Sequence, residues 1–174
     1  LKINIKVNES LIDFFSNFEK LSDNLVINKP DWLKKSILWK NKYPIVLNNY
    51  RSQKKYVNPY YFMERLSNFL KKDDIVITDD GAHLTWTIQA LKVLKNQRLF
   101  SAFGNSPMGY AFPASIGASI ALNKKRIICI DGDGSIQINI QELQTMISNQ
   151  LPIKIIIINN DGYGIIKQFQ ELYL

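Results

Sequence analysis

Four short polar segments hold the residues best suited to chemistry. Gly132-Asp133-Gly134-Ser135 follows the apolar run Arg126–Ile130 and precedes apolar residues at helical spacing. Glycines let backbone approach a ligand closely, and a helix start offers free N–H groups and partial positive charge, which suits a phosphate. Asp133 has the wrong sign for direct phosphate contact, so a cation has to lie between them. Mg²⁺ takes oxygen ligands and commonly joins carboxylate to phosphate. Asn159-Asn160 closes the next apolar run and adds a neutral amide oxygen. Twenty-four residues separate Gly134 from Asn159, room for one helix and one strand. Alone, Gly-Asp-Gly reads as a turn with Asp capping a helix; with Asn159-Asn160 one unit later it reads as half of a metal–phosphate site. Thr78-Asp79-Asp80-Gly81 and Phe103-Gly104-Asn105-Ser106 complete the set. Asp79 and Asp80 read as strand-end residues, with a phospho-acceptor pocket as the alternative.

The elements that must position these segments alternate. Asn58-Pro59 starts a helix whose apolar face is Phe62, Leu66, Phe69 and Leu70. Ile75–Ile77 predicts a short buried strand, Gly81–Leu94 a helix, Leu99–Ala102 a strand and Pro113–Leu122 a small-residue helix. Arg126–Ile130 is the next strand, Ile136, Ile140, Leu143 and Ile147 share one helical face, and Ile153–Ile158 is a strand buried on both sides. A helix runs from Gly164 onward. Continuous apolar strands separated by helices predict an α/β fold: a doubly wound, mostly parallel sheet with helices on both faces. Such sheets place ligands at the carboxyl ends of their strands, which gathers the four polar segments on one edge. Residues 1–57 read differently, as a tail and linker. Ser10 caps a helix to Lys20 with Leu11, Phe14, Phe15 and Phe18 along it, and Trp32–Trp39 is a second helix ended by Tyr43-Pro44.

Composition narrows the classes. Hydrophobic residues make up 46% of 174, which supports a packed core. The net charge is +7, but residues 1–55 carry eleven Lys/Arg against five Asp/Glu, so the excess is concentrated there. The basic residues form no stripe interleaved with aromatics, so nucleic acid is not expected as a partner. No apolar run reaches membrane-spanning length. Leu1–Ile5 lacks signal-peptide features, and the missing initiator Met points to a fragment. Cys129, the only cysteine, reads as a buried reduced thiol and fits a cytoplasmic location.

The Gly132-Asp133-Gly134 and Asn159-Asn160 pair resembles the binding signature of thiamine diphosphate (ThDP) enzymes. The segment Gly132–Leu143 resembles the acetolactate synthase large subunit, as do Met108–Ala114, Gly81-Ala82-His83 with Trp86, and Lys167–Gln170. The resemblance runs from about Asn58 to the end, as a diphosphate-binding domain that stops early. More weakly, residues 1–57 resemble the end of that family's central domain and its linker. The resemblance implies Mg²⁺ held by the side chains of Asp133 and Asn160 and the carbonyl of Gly162. It implies a cofactor contacted by Gly81, His83, Gly132, Gly134, Ser135, Gly164 and Ile165. The Ser106 carbonyl and Met108 N–H meet the aminopyrimidine, with the Met108 side chain wedged beneath the bent cofactor. Phe169 lines the substrate pocket. The implied activity is decarboxylation of a 2-oxo acid such as pyruvate, with carboligation, in a homodimer or homotetramer. FAD in a full-length protein is left open.

Departures from the family qualify this. Ala82 stands where acetolactate synthases usually have Gln, and Phe169 where they usually have Trp. Asn159–Tyr163 resembles the pyruvate decarboxylase version, yet Ile166 occupies the place of that family's catalytic Glu. The family's activating Glu belongs to an N-terminal domain that nothing here matches, so the chain alone is expected to be inactive. Three readings therefore compete with acetolactate formation: another 2-oxo acid, a non-catalytic module that kept the fold, and an unrelated doubly wound receiver built on Asp79 or Asp80.

Overall fold

A computed structural model describes residues 6–22 and 29–174; Leu1–Ile5 lies outside it. The chain divides into two compact units, Leu1–Pro44 and Ile45–Leu174. In the first unit, α1 (Leu11–Ser22) starts at Ser10, whose Oγ accepts the Asp13 N–H at 3.1 Å and donates to the Asp13 carboxylate at 2.6 Å. Phe14 stacks on Phe18 along it. α2 (Pro30–Lys42) has Pro at its first turn, where no N–H is missed. Neither helix buries a residue.

Residues 45–57 belong to the second unit, where Tyr50 stacks on Tyr60 and Arg51 pairs with Glu64 at 2.7 Å. α3 (Pro59–Ser67) then begins as expected, with Asn58 Oδ1 accepting the N–H groups of Tyr60 and Tyr61.

Four parallel strands follow: β1 (Ile75–Thr78), β2 (Arg98–Phe100), β3 (Ile127–Gly132) and β4 (Ile153–Ile158). Their order is β2-β1-β3-β4. Alternate residues of one strand feed opposite cores. Ile75, Ile77, Ile127, Cys129 and Ile153 join Phe112 and Ile116 of α5 (Ala111–Ala121) on one face, with Leu143 and Met146 of α6 (Glu142–Ser148) against them. Val76, Ile128 and Ile130 join Met63 of α3 on the other face, where Trp86 of α4 (Ala82–Ala90) packs. The expected α/β sheet with helices on both faces is therefore the observed one. Cys129 is fully buried and unbonded, and burial pushes its thiol up to about 12, so it is an inert core group.

Tertiary contacts shift four elements from their expected bounds. α4 stops at Ala90, not Leu94: Leu91 turns extended into the core, and the Lys92 N–H donates to the Ser67 hydroxyl at 2.8 Å instead of continuing the helix. β2 ends at Phe100, not Ala102, and α5 opens two residues before Pro113. The 136–147 stripe is not one helix. It splits into a 3-10 turn over Ser135–Asn139 and α6, because Asn139 donates its amide to the Gly109 carbonyl at 2.6 Å. β4 is not buried on both sides: it ends the sheet, and Lys154 and Ile157 are exposed. After α7 (Gly164–Tyr173) begins, no residue is buried.

Candidate functional site

The strand order makes the crevice. From β1 the chain leaves through α4 to β2 on one side; from β3 it leaves through α6 to β4 on the other. The connections diverge between adjacent strands β1 and β3, opening a gap beyond their carboxyl ends. A cleft open to solvent lies there.

Gly81 and His83 line one wall, Gly132 to Ser135 the floor, and Asn160, Gly162, Gly164 and Ile165 the far wall; Met108 reaches it from the loop before α5. Thus the predicted residues from four separate segments converge. Two do not line the cleft. Ser106 lies behind it, its hydroxyl donating to Asp80 Oδ1 at 2.8 Å. Phe169 is exposed and lies against the Tyr173 ring, 4.8 Å between centroids. Trp86 and Ile166 also line the cleft.

The oxygen cluster at the far wall has a specific geometry. The Asn160 N–H donates to Asp133 Oδ1 at 3.3 Å. One terminal atom of the Asn160 amide lies 2.7 Å from the Gly162 carbonyl oxygen and 3.0 Å from Asp133 Oδ1. With nitrogen there it donates to both; with oxygen there, three oxygen donors meet. Adjacent oxygens in an octahedral Mg²⁺ shell at about 2.1 Å lie about 3 Å apart. The donor set is one carboxylate, one amide and one carbonyl, the mixture a hard cation prefers. Among the described residues no cluster of three His, Cys, Asp or Glu side chains offers an alternative metal site.

The floor of the cleft is close-packed. A Cβ on Gly134 would stand 2.5 Å from the Tyr163 ring, so only glycine allows this approach. His83 is buried, and its Nε2 has no hydrogen-bond partner among the described residues. Burial lowers its pKa, against the opposing charges of Asp79 and Asp80.

Sequence reasoning missed the supports. Asp131 is fully buried; its Oδ1 accepts from the Ser135 hydroxyl and from the Gly132 N–H at 2.8 Å. Burial is the main cause of its rise to about 7; the Ser135 bond opposes it, and the neighbouring Asp79 charge adds to it. A carboxylate closing an otherwise apolar strand was the available signal. Asp79 is likewise fully buried, with both oxygens engaged, so it offers no free phospho-acceptor. Tyr163 was visible only as a neighbour of the Asn-Asn pair. Among the described residues no helix is long and apolar enough to cross a membrane.

Residues 79–174 match the family described as "Thiamine pyrophosphate enzyme, C-terminal TPP binding domain". The chain is 34% identical over 158 residues to the acetolactate synthase large subunit of Porphyra purpurea, covering 91% of this chain and 25% of that protein. It is 37% identical over 164 residues to that of Cyanidium caldarium, covering 94% and 27%. It is 35% identical over 111 residues to the isozyme 2 large subunit of Escherichia coli (strain K12), covering 64% and 20%. The chain spans about a quarter of the length of the first two relatives.

Proposed function

Because the chain belongs to the thiamine pyrophosphate enzymes, through their C-terminal TPP binding domain, we propose that it holds the diphosphate and Mg²⁺ of ThDP in a decarboxylase-carboligase. The reading covers residues 58–174, with residues 1–57 as the end of a preceding domain and its linker. The substrate class is a 2-oxo acid such as pyruvate, the product acetolactate, and the assembly a homodimer or homotetramer. The relatives named acetolactate synthase large subunit support the substrate.

The observation that carries the reading is the meeting of the Asp133 carboxylate, the Asn160 side-chain amide and the Gly162 carbonyl at the crevice edge. In the proposed holo state these three would ligate Mg²⁺. The Gly134 backbone and the Ser135 hydroxyl would face the diphosphate, with His83 Nε2 available as a further donor once protonated. When bound, ThDP supplies a nucleophilic carbon and an electron sink for decarboxylation. The chain's own contribution is to bind, orient and partly enclose it: Met108 from one side, Ile165 and Ile166 from the other.

Calorimetry of ThDP with and without Mg²⁺, on the wild-type chain and Asp133→Ala, tests this. The expected result is Mg²⁺-dependent binding that weakens by about 100-fold, or about 2.7 kcal/mol, in the variant. Equal affinity in both proteins overturns the metal bridge.

A further inference from the structure

The loop carrying Met108 has little regular structure of its own, yet it is held at three points. Asp79, at the end of β1, is fully buried and spends its carboxylate on backbone. Its Oδ2 accepts the Gly109 N–H at 2.7 Å, and its Oδ1 accepts the Tyr110 N–H at 3.2 Å and the Asp80 N–H at 2.8 Å. Asp80 holds the other end of the loop, where its Oδ1 accepts the Ser106 hydroxyl at 2.8 Å. Ser106 has φ 45°, a left-handed conformation that costs a non-glycine residue about 1 kcal/mol or more, so it needs such a tether. The third point is Asn139, whose amide reaches the Gly109 carbonyl at 2.6 Å. Gly109 itself has φ 84°, and a Cβ there would stand 2.8 Å from Ile138 Cγ2. Met108 lies between the anchors and lines the cleft.

We propose that Asp79 and Asp80 are positioning residues, a paired carboxylate clamp that fixes residues 106–110 so that Met108 and its backbone N–H are presented to the ring end of the bound cofactor. The inference rests on the ThDP reading above and assigns work to two residues that otherwise look like a strand end. A buried carboxylate accepting three N–H groups is a stiff anchor, because charge-assisted bonds are about twice as strong as neutral ones. Replacing Asp79 by Asn keeps the shape but turns an amide donor toward one of those N–H groups, leaving donor facing donor.

The clamp's hydrogen bonds to the loop all fall on residues 106–110, at the Met108 end of the cleft. The diphosphate end is met by Asp133, Asn160 and Gly162, on other loops. Two probes therefore separate the ends: ThDP with Mg²⁺, and inorganic pyrophosphate with Mg²⁺. Calorimetry on the wild-type chain and Asp79→Asn should show ThDP affinity falling by about tenfold while pyrophosphate affinity stays within about twofold. A general folding defect moves both affinities together, so a parallel loss overturns the proposal, as does no loss of either. Far-UV circular dichroism reports whether Asp79→Asn folds. Should it not, Asp80→Asn and Ser106→Ala carry the same test, each with about threefold selective loss for ThDP, and the same two outcomes overturn it. A wild-type chain that binds neither probe sinks the ThDP reading and the clamp with it; one that binds both, with variants indistinguishable from it, sinks the clamp alone.

Discussion

The two halves of the cleft are built to different standards. The β1–β3 half is interior: Thr78, Asp79, Asp131 and Ser135 are all buried, and their polar atoms are mostly tied to one another or to backbone. The β4 half is surface. Asn160, Gly162 and Gly164 are exposed, β4 ends the sheet, and α7 shows Ile165, Phe169 and Leu172 to solvent. Yet both halves supply residues to one cleft. Position and ligation are graded by burial: the buried residues fix geometry, while the partly buried Asp133 and the exposed Asn160 and Gly162 bring their polar groups to the cleft. Truncations of fully buried side chains in the first half should therefore register as stability, and truncations of exposed side chains in the second should cost the fold little.

That contrast can be broken most easily with apolar truncations. Ile77→Ala, at 0% exposure in β1, should cost about 3 kcal/mol, whereas Ile157→Ala, at 50% exposure in β4, should cost about 0.5 kcal/mol or less. Urea unfolding of the two variants checks this, and similar midpoints would erase the division. Next in size is a pH effect confined to the buried half. Asp131 has its folded pKa raised from 3.8 to about 7, so the folded chain keeps a proton that the unfolded chain loses. Its stabilising contribution is full below pH 3.8 and is lost as pH rises toward about 7. Asp131→Asn mimics the protonated form. It should remove that slope and be more stable than wild type at pH 8 by on the order of 2 kcal/mol, as read by unfolding curves at pH 5 and 8. A slope unchanged in the variant would assign it elsewhere.

The smallest effect sharpens the boundary between the halves. Burial favours the neutral form of His83, and a diphosphate beside it favours its charged form. Binding should therefore take up part of one proton, and affinity should rise as pH falls through the interval between the free and bound pKa values. Calorimetry in buffers of different ionisation enthalpy measures the uptake, and His83→Gln should abolish it. Uptake persisting in that variant would place the proton on another group.

Much of this was legible from residue order. Ile127–Ile130 and Ile153–Ile158 marked strands because apolar runs bounded by glycine or proline have few other folds open to them. Asn58-Pro59 marked a helix start, since its bonds lie within three residues. The site residues were legible where a motif is local, as at Gly132–Ser135. Phe169 lies outside the cleft lining, with the exposed apolar stripe of α7.

Residue order by itself determined which segments become strands and which loops carry oxygen donors, because those outcomes follow from spacing and turn chemistry over a few residues. Only the tertiary structure decided that β4 ends the sheet, that Ser67 stops α4 by taking the Lys92 N–H, and that Asp79 reaches thirty residues ahead to Gly109. A buried donor or acceptor must find a partner wherever the chain brings one within 3 Å or so, and sequence distance places no limit on where that is.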